Sequence, residues 1–131
     1  MGRSAMAEAI ARNLEPGIEF TSCGLRTLNG YPATKEAKSA IASRGISLES
    51  HISKLVSKDL IDGKLVICMT EKHKQILLRD YPENEIYLLT ELGSGTRKDI
   101  PDPVGKDIDK HLESLNFLEV EINFLLSNLK A

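Results

Sequence analysis

Lys64-Leu65-Val66-Ile67-Cys68-Met69-Thr70-Glu71-Lys72-His73 joins a continuous apolar run to a helix start, and this junction decides the fold. An apolar run without alternation is how a strand buried on both faces reads. Thr70 is the kind of residue that caps a helix, here predicted to run to about Arg79. Downstream, Glu85 to Thr90 reads as a further strand. Upstream, Ser57 is placed to cap a short helical turn, and Thr34 to cap a helix that Gly45 closes. Before the loop Asn29-Gly30-Tyr31-Pro32, the alternating stretch Ile18 to Cys23 stops at Gly24 and predicts a strand. Residues Ser4 to Leu14, rich in Ala, Met and Glu, predict a helix with Ser4 as its cap, ending before Pro16-Gly17. At the other end, apolar residues at 108, 112, 115, 118, 122, 125 and 129 form one stripe at helical spacing, a long amphipathic helix covering the sheet. Helix and strand alternate throughout. The expected fold is therefore α/β, three-layered, with a parallel sheet and right-handed crossovers, as a single domain over residues 1–131.

Composition narrows the function. At 131 residues, with 41% hydrophobic and 27% charged residues, the chain is long enough to bury a core. Its 17 basic and 19 acidic residues are interspersed, giving a net charge of −2 and no footprint for nucleic acid or an anionic membrane. The apolar runs are too short to span a bilayer. Met1 to Glu8 reads neither as a signal peptide nor, with Met6 where a hydroxyl residue is needed, as a myristoylation signal. Cys23 and Cys68 have no metal-binding spacing and sit in strand-like stretches, which implies free buried thiols, a reducing cytoplasmic setting and neither a metal nor another cofactor.

In parallel α/β folds, ligands gather at the carboxyl ends of strands, where helices begin. The chain opens at such a place: Gly2-Arg3-Ser4 leads straight into the first helix. Unpaired N–H groups at a helix start favour an anion, and Arg3 adds a planar fork able to hold two phosphate oxygens. A second junction, Ile100-Pro101-Asp102-Pro103-Val104-Gly105, precedes the long helix. A carboxylate between two prolines has a stiff backbone, which suits a general acid that must protonate a leaving atom at a fixed place.

Gly2-Arg3-Ser4-Ala5-Met6-Ala7-Glu8-Ala9 resembles the end of the phosphate loop, Cys-x-x-x-x-x-Arg-Ser-Pro-Met-Ala-Glu, of low-molecular-weight protein-tyrosine phosphatases. The likeness continues through Ser22-Cys23-Gly24, Asn29-Gly30-Tyr31-Pro32-Ala33, Gly45-Ile46-Ser47, Ser50-His51, Met69-Thr70, His73 and Asp102-Pro103. The stretches around Asn29, Met69 and His73 are closer to the bacterial branch that includes protein-arginine phosphatases. The resemblance implies that Gly2, Arg3 and Ser4 bind phosphate, with Arg3 stabilising the transition state and Ser4 holding a cysteine thiolate. It implies Asp102 as the acid and then the base of a phosphocysteine mechanism, and His51 as a brace behind the loop. Substrates would be phosphorylated proteins or small phosphoesters. Val104-Gly105 stands where tyrosine-specific members carry aromatic residues, which weakens the case for phosphotyrosine.

The resemblance also implies that the family's first, central strand and the nucleophilic cysteine of its loop precede Met1. Either Met1 is internal to a longer reading frame, or the chain is a cysteine-free relative that acts by binding an anion or a partner. Taken as it stands, the 131-residue chain is expected to be inactive by the thiolate route. Its 18–23 and 64–69 strands would face each other across about twice the 4.8 Å strand spacing. Strand closure, or a strand borrowed in a homo-oligomer, would be needed to fill that gap.

Overall fold

Val66–Cys68 form β1 and Ile86–Leu88 form β2, and the two pair in parallel with Val66 opposite Ile86 and Cys68 opposite Leu88. The computed structural model describes residues 2–25 and 29–130, so Met1 and what it implies lie outside the described residues. The helices are α1 (Gly2–Leu14), α2 (Lys35–Ala42), α3 (Lys58–Ile61), α4 (Glu71–Asp80), α5 (Leu89–Leu92) and α6 (Ile108–Lys130). Three of the expected caps are made. The hydroxyls of Thr34, Ser57 and Thr70 accept from the N–H groups of Ala37, Leu60 and His73 at 3.2, 3.3 and 3.2 Å. After α2, Gly45 takes φ +74°, the left-handed conformation that ends a helix turn without a Cβ clash.

Period-two alternation splits the strand residues between two cores. Ile67, Met69 and Leu89 face one made by α1, α2 and α6, in which Met6, Ile41, Leu115 and Leu118 are fully buried. Cys68 and Leu88 face the other, with Val66, Leu77 and Leu78. The order is thus helices, sheet, helix, which is the expected three-layer α/β arrangement. In α6 the expected stripe is buried at Leu115, Leu118, Ile122 and Leu125, while Ile108 and Leu129 at its ends are exposed.

Three local expectations change. Ser4 lies inside the first turn of α1, which already begins at Gly2, and is not its cap. The expected 85–90 strand stops at Leu88, because the Glu91 carboxylate accepts the Leu88 N–H at 3.0 Å and starts α5, which takes in Thr90. The 18–23 stretch forms no ladder; its only bridging residue is the following Gly24, opposite Leu55. The described sheet therefore has two strands where the sequence predicts three. The third lacks a neighbour because a cleft of about 640 Å³ separates it from β1.

Candidate active site

Arg3 sits in the first turn of α1, 7% exposed, with its guanidinium turned toward the 100–102 loop. Its Nη1 donates to the Ile100 carbonyl at 2.9 Å, and its Nη2 lies 3.5 Å from Oδ2 of Asp102. The Ile100 N–H donates in turn to the carbonyl of Met69, just beyond β1, at 2.9 Å. One side chain thereby ties the start of α1, the acid loop and the end of β1 together. Two residues far apart in the sequence meet.

The loop bearing Asp102 is fixed from several sides. Pro103 is fully buried, the Ser114 hydroxyl donates to the Pro101 carbonyl at 2.9 Å, and Oδ1 of Asp102 accepts the Val104 N–H at 3.0 Å. A Cβ on Gly2 would stand 3.9 Å from Pro103 and 4.0 Å from Nε2 of His111, so this loop packs directly on the first turn of α1. His111 is itself buried and its Nδ1–H donates to the Asp107 carbonyl at 2.9 Å. The Asp102 carboxylate stays half in solvent, at 52% exposure.

Arg3, Ser4 and Asp102 all line the cleft beside β1. Lys72 and His73, on the first turn of α4, line the same mouth. Neither was assigned a role from the sequence. The signal was there, since Met69-Thr70 is a strand-to-helix junction of the kind that gathers ligands. Burial pushes the His73 pKa down, Arg3 pushes it further, and the Asp102 and Asp99 carboxylates oppose both. His51 lines a small hollow behind α1 with Ser4, Ala5 and Cys23, where a bracing residue was expected. Burial lowers its pKa too, against the pull of Glu8.

Both histidines thus stay neutral in the fold at pH values where the unfolded chain, near the usual 6.5, takes up protons. That contribution is present above 6.5 and is lost as pH falls below it toward the lowered values. The urea midpoint should therefore fall between about pH 7.5 and pH 5.5, before the carboxylates titrate. A His51→Gln, His73→Gln double variant should flatten the fall; an unchanged slope would contradict the assignment.

The two cysteines also face the cleft but are poor nucleophiles. Burial raises the Cys68 thiol to about 12, with Lys74 only partly opposing, and raises Cys23 against Lys54. A thiol must be a thiolate to attack phosphorus, and neither is held near that state.

The profile of the family described as low molecular weight phosphotyrosine protein phosphatase matches residues 1–131. The chain belongs to this family. It is 33% identical to a protein-arginine-phosphatase of Geobacillus stearothermophilus over 98% of this chain and 89% of the relative. It is 32% identical to the low molecular weight protein-tyrosine-phosphatase PtpB of Staphylococcus haemolyticus, over 96% and 91%. Among solved structures, that of YwlE arginine phosphatase as a mutant with a phosphorylated active site serine superposes with a TM-score of 0.93. The identity there is 29%, over 98% of this chain and 88% of that one. Family members act on phosphorylated proteins or phosphoesters. Among the described residues, no helix of this chain is long and apolar enough to cross a membrane.

Proposed function

We infer that the cleft mouth is the phosphoryl-binding and acid-bearing half of a phosphocysteine phosphatase site. The observation that carries this reading is the meeting of Arg3 and Asp102 at 3.5 Å over the start of α1. Gly2, Arg3 and Ser4 hold the phosphoryl oxygens, the guanidinium by two parallel N–H donors and the helix start by free N–H groups. In the complete site a thiolate, supplied by neither Cys23 nor Cys68, would attack phosphorus from the cleft side while Asp102 protonates the leaving oxygen or nitrogen, so that the P–S bond would form as the bond to the leaving group breaks. Asp102, now a carboxylate, takes a proton from water. The resulting hydroxyl displaces the thiolate and releases phosphate. The relative trapped with phosphate on its active site serine supports a covalent step at this place.

Two features of the cleft bear on the substrate and the nucleophile. Val104, 49% exposed beside Asp102 on the cleft, offers an aliphatic wall and no ring to stack on a phenyl group. Together with the named arginine phosphatase among the relatives, this favours a phosphoarginine side chain over phosphotyrosine. Second, neither Cys23 nor Cys68 serves as the thiolate, since burial holds both as thiols. The 131-residue polypeptide by itself is then expected to show no turnover by the thiolate route. Incubating it with p-nitrophenyl phosphate tests this. No release above the blank is expected, and turnover that iodoacetate abolishes would overturn it.

A further inference from the structure

The chain leading to the acid loop is bonded residue by residue to its surroundings. The Lys98 carbonyl accepts the hydroxyl of fully buried Thr90 at 2.6 Å. Oδ1 of Asp99 accepts the Glu71 N–H at 2.9 Å, and the Ile100 N–H donates to the Met69 carbonyl at 2.9 Å. Residues 99 and 100 therefore grip the junction between β1 and α4 at two points. Of these three bonds, only the one at Asp99 is made by a side chain of the loop itself. A carboxylate suits that place, because the first N–H groups of α4 lack helical partners and carry partial positive charge. Thr70 takes the His73 N–H at 3.2 Å, so Asp99 and Thr70 share the capping of one helix.

The cap made by Asp99 bears on Asp102, three residues on. Ser114 and Pro103 hold the acid loop against α6 and the start of α1. Neither relates Asp102 to α4, whose first turn carries Lys72 and His73 to the mouth. His73 feels the charge of both Asp102 and Asp99, so the three side chains gather at that turn. From Ile100 to Asp102 the chain spans about 7 Å at ~3.3 Å per residue. A tilt of about 10° about the Ile100–Met69 bond then moves Asp102 by about 1 Å, twice the roughly 0.5 Å within which a catalytic group must be held. A second point of attachment removes that freedom. The contact from Arg3 cannot supply it throughout, since in the proposed site a phosphoryl group takes the guanidinium edge that faces Asp102.

We propose that Asp99 is a positioning residue for the acid: by accepting the Glu71 N–H it sets the acid loop on α4 and so fixes where Asp102 stands over the anion site. Asp99 is not among the residues that line the cleft, so it acts through Asp102 and not on the substrate. Its use in catalysis rests on the phosphatase reading, whereas its geometry rests on the bonds at residues 98–100. The acceptor oxygen and its reach carry the role. Asparagine offers an oxygen at the same reach, glutamate offers one a methylene further out, and alanine offers none.

The test uses the full 131-residue chain with amides and carboxyl carbons isotope-labelled, inorganic phosphate as the ligand, and the variants Asp99→Ala, Asp99→Asn and Asp99→Glu. In Asp99→Ala, phosphate should still shift Gly2, Arg3 and Ser4, while its effect on the Asp102 carboxyl carbon and the Val104 amide falls by about twofold or more. Asp99→Asn should restore both responses, and Asp99→Glu should fall between. A cap that serves stability alone would lower the melting temperature and leave the Asp102 and Val104 responses as they were, which overturns the proposal. So does an Asp99→Asn protein that behaves like Asp99→Ala. Should Asp99→Ala not fold, Asp99→Glu against Asp99→Asn makes the same comparison, and equal responses in those two overturn it. If phosphate shifts nothing at Gly2 to Ser4 in the unaltered protein, the phosphatase reading falls. The phosphate-free spectra still decide Asp99, because the Asp102 carbon and the Val104 amide must move in Asp99→Ala and return in Asp99→Asn.

Discussion

Replacing Arg3 by lysine is expected to weaken phosphate binding by about 1.5–3 kcal/mol, roughly ten- to a hundredfold. Lysine keeps the charge but has no planar fork, so it holds one phosphoryl oxygen at a time where the guanidinium holds two. It also cannot reach the Ile100 carbonyl and the Asp102 carboxylate together, as Nη1 and Nη2 do at 2.9 and 3.5 Å. Isothermal titration with phosphate reads the affinity, and circular dichroism confirms that the variant is folded. Equal affinity in a folded Arg3→Lys protein would remove Arg3 from the anion site. Lys72 and His73, on the same mouth, would then be the groups to examine.

Leu118→Ala is expected to cost about 2–5 kcal/mol, a large share of the 5–15 kcal/mol that holds a typical domain together. Leu118 is fully buried where α6 crosses α1 and α2. The next residues of its stripe, Ile122, Leu125 and Leu126, are buried in the same core. Leu118 stands in the middle of that buried stripe with no exposed surface, so the loss should fall toward the upper end of the range. Val120 on the outer face is 54% exposed, and Val120→Ala should change stability by no more than about 0.5 kcal/mol. Urea denaturation of both variants decides the matter; a Leu118→Ala loss below about 1 kcal/mol would contradict this account of the core.

How far these features were legible in the sequence depends on what each needs. The long helix was readable because its stripe repeats along one segment; its terminal Ile108 and Leu129 are exposed and Leu112 is half-buried, while the rest are buried. The caps of α2, α3 and α4 were readable because each is a bond over three residues. The candidates Arg3 and Asp102 were readable from their junctions. Their meeting was not, because it depends on Ile100 bridging α1 to the end of β1. The strand predicted over 18–23 failed for the same reason in reverse. Alternation gives a segment the means to pair, but a ladder needs a neighbour at strand spacing, and on that side there is a cleft. The α5 turn was hidden because Leu88-Leu89-Thr90 continues a strand-like run, while a single bond from Leu88 to Glu91 redirects the chain.

The central claim is that the start of α1, with Arg3, is an anion site facing Asp102. Titrating the isotope-labelled protein with phosphate and following every backbone amide tests it most directly. The account predicts saturable shifts centred on Gly2, Arg3 and Ser4, extending to Asp102 and Val104, and absent from the Arg3→Lys variant. Shifts confined to other parts of the surface, or none at all at millimolar phosphate, would contradict it.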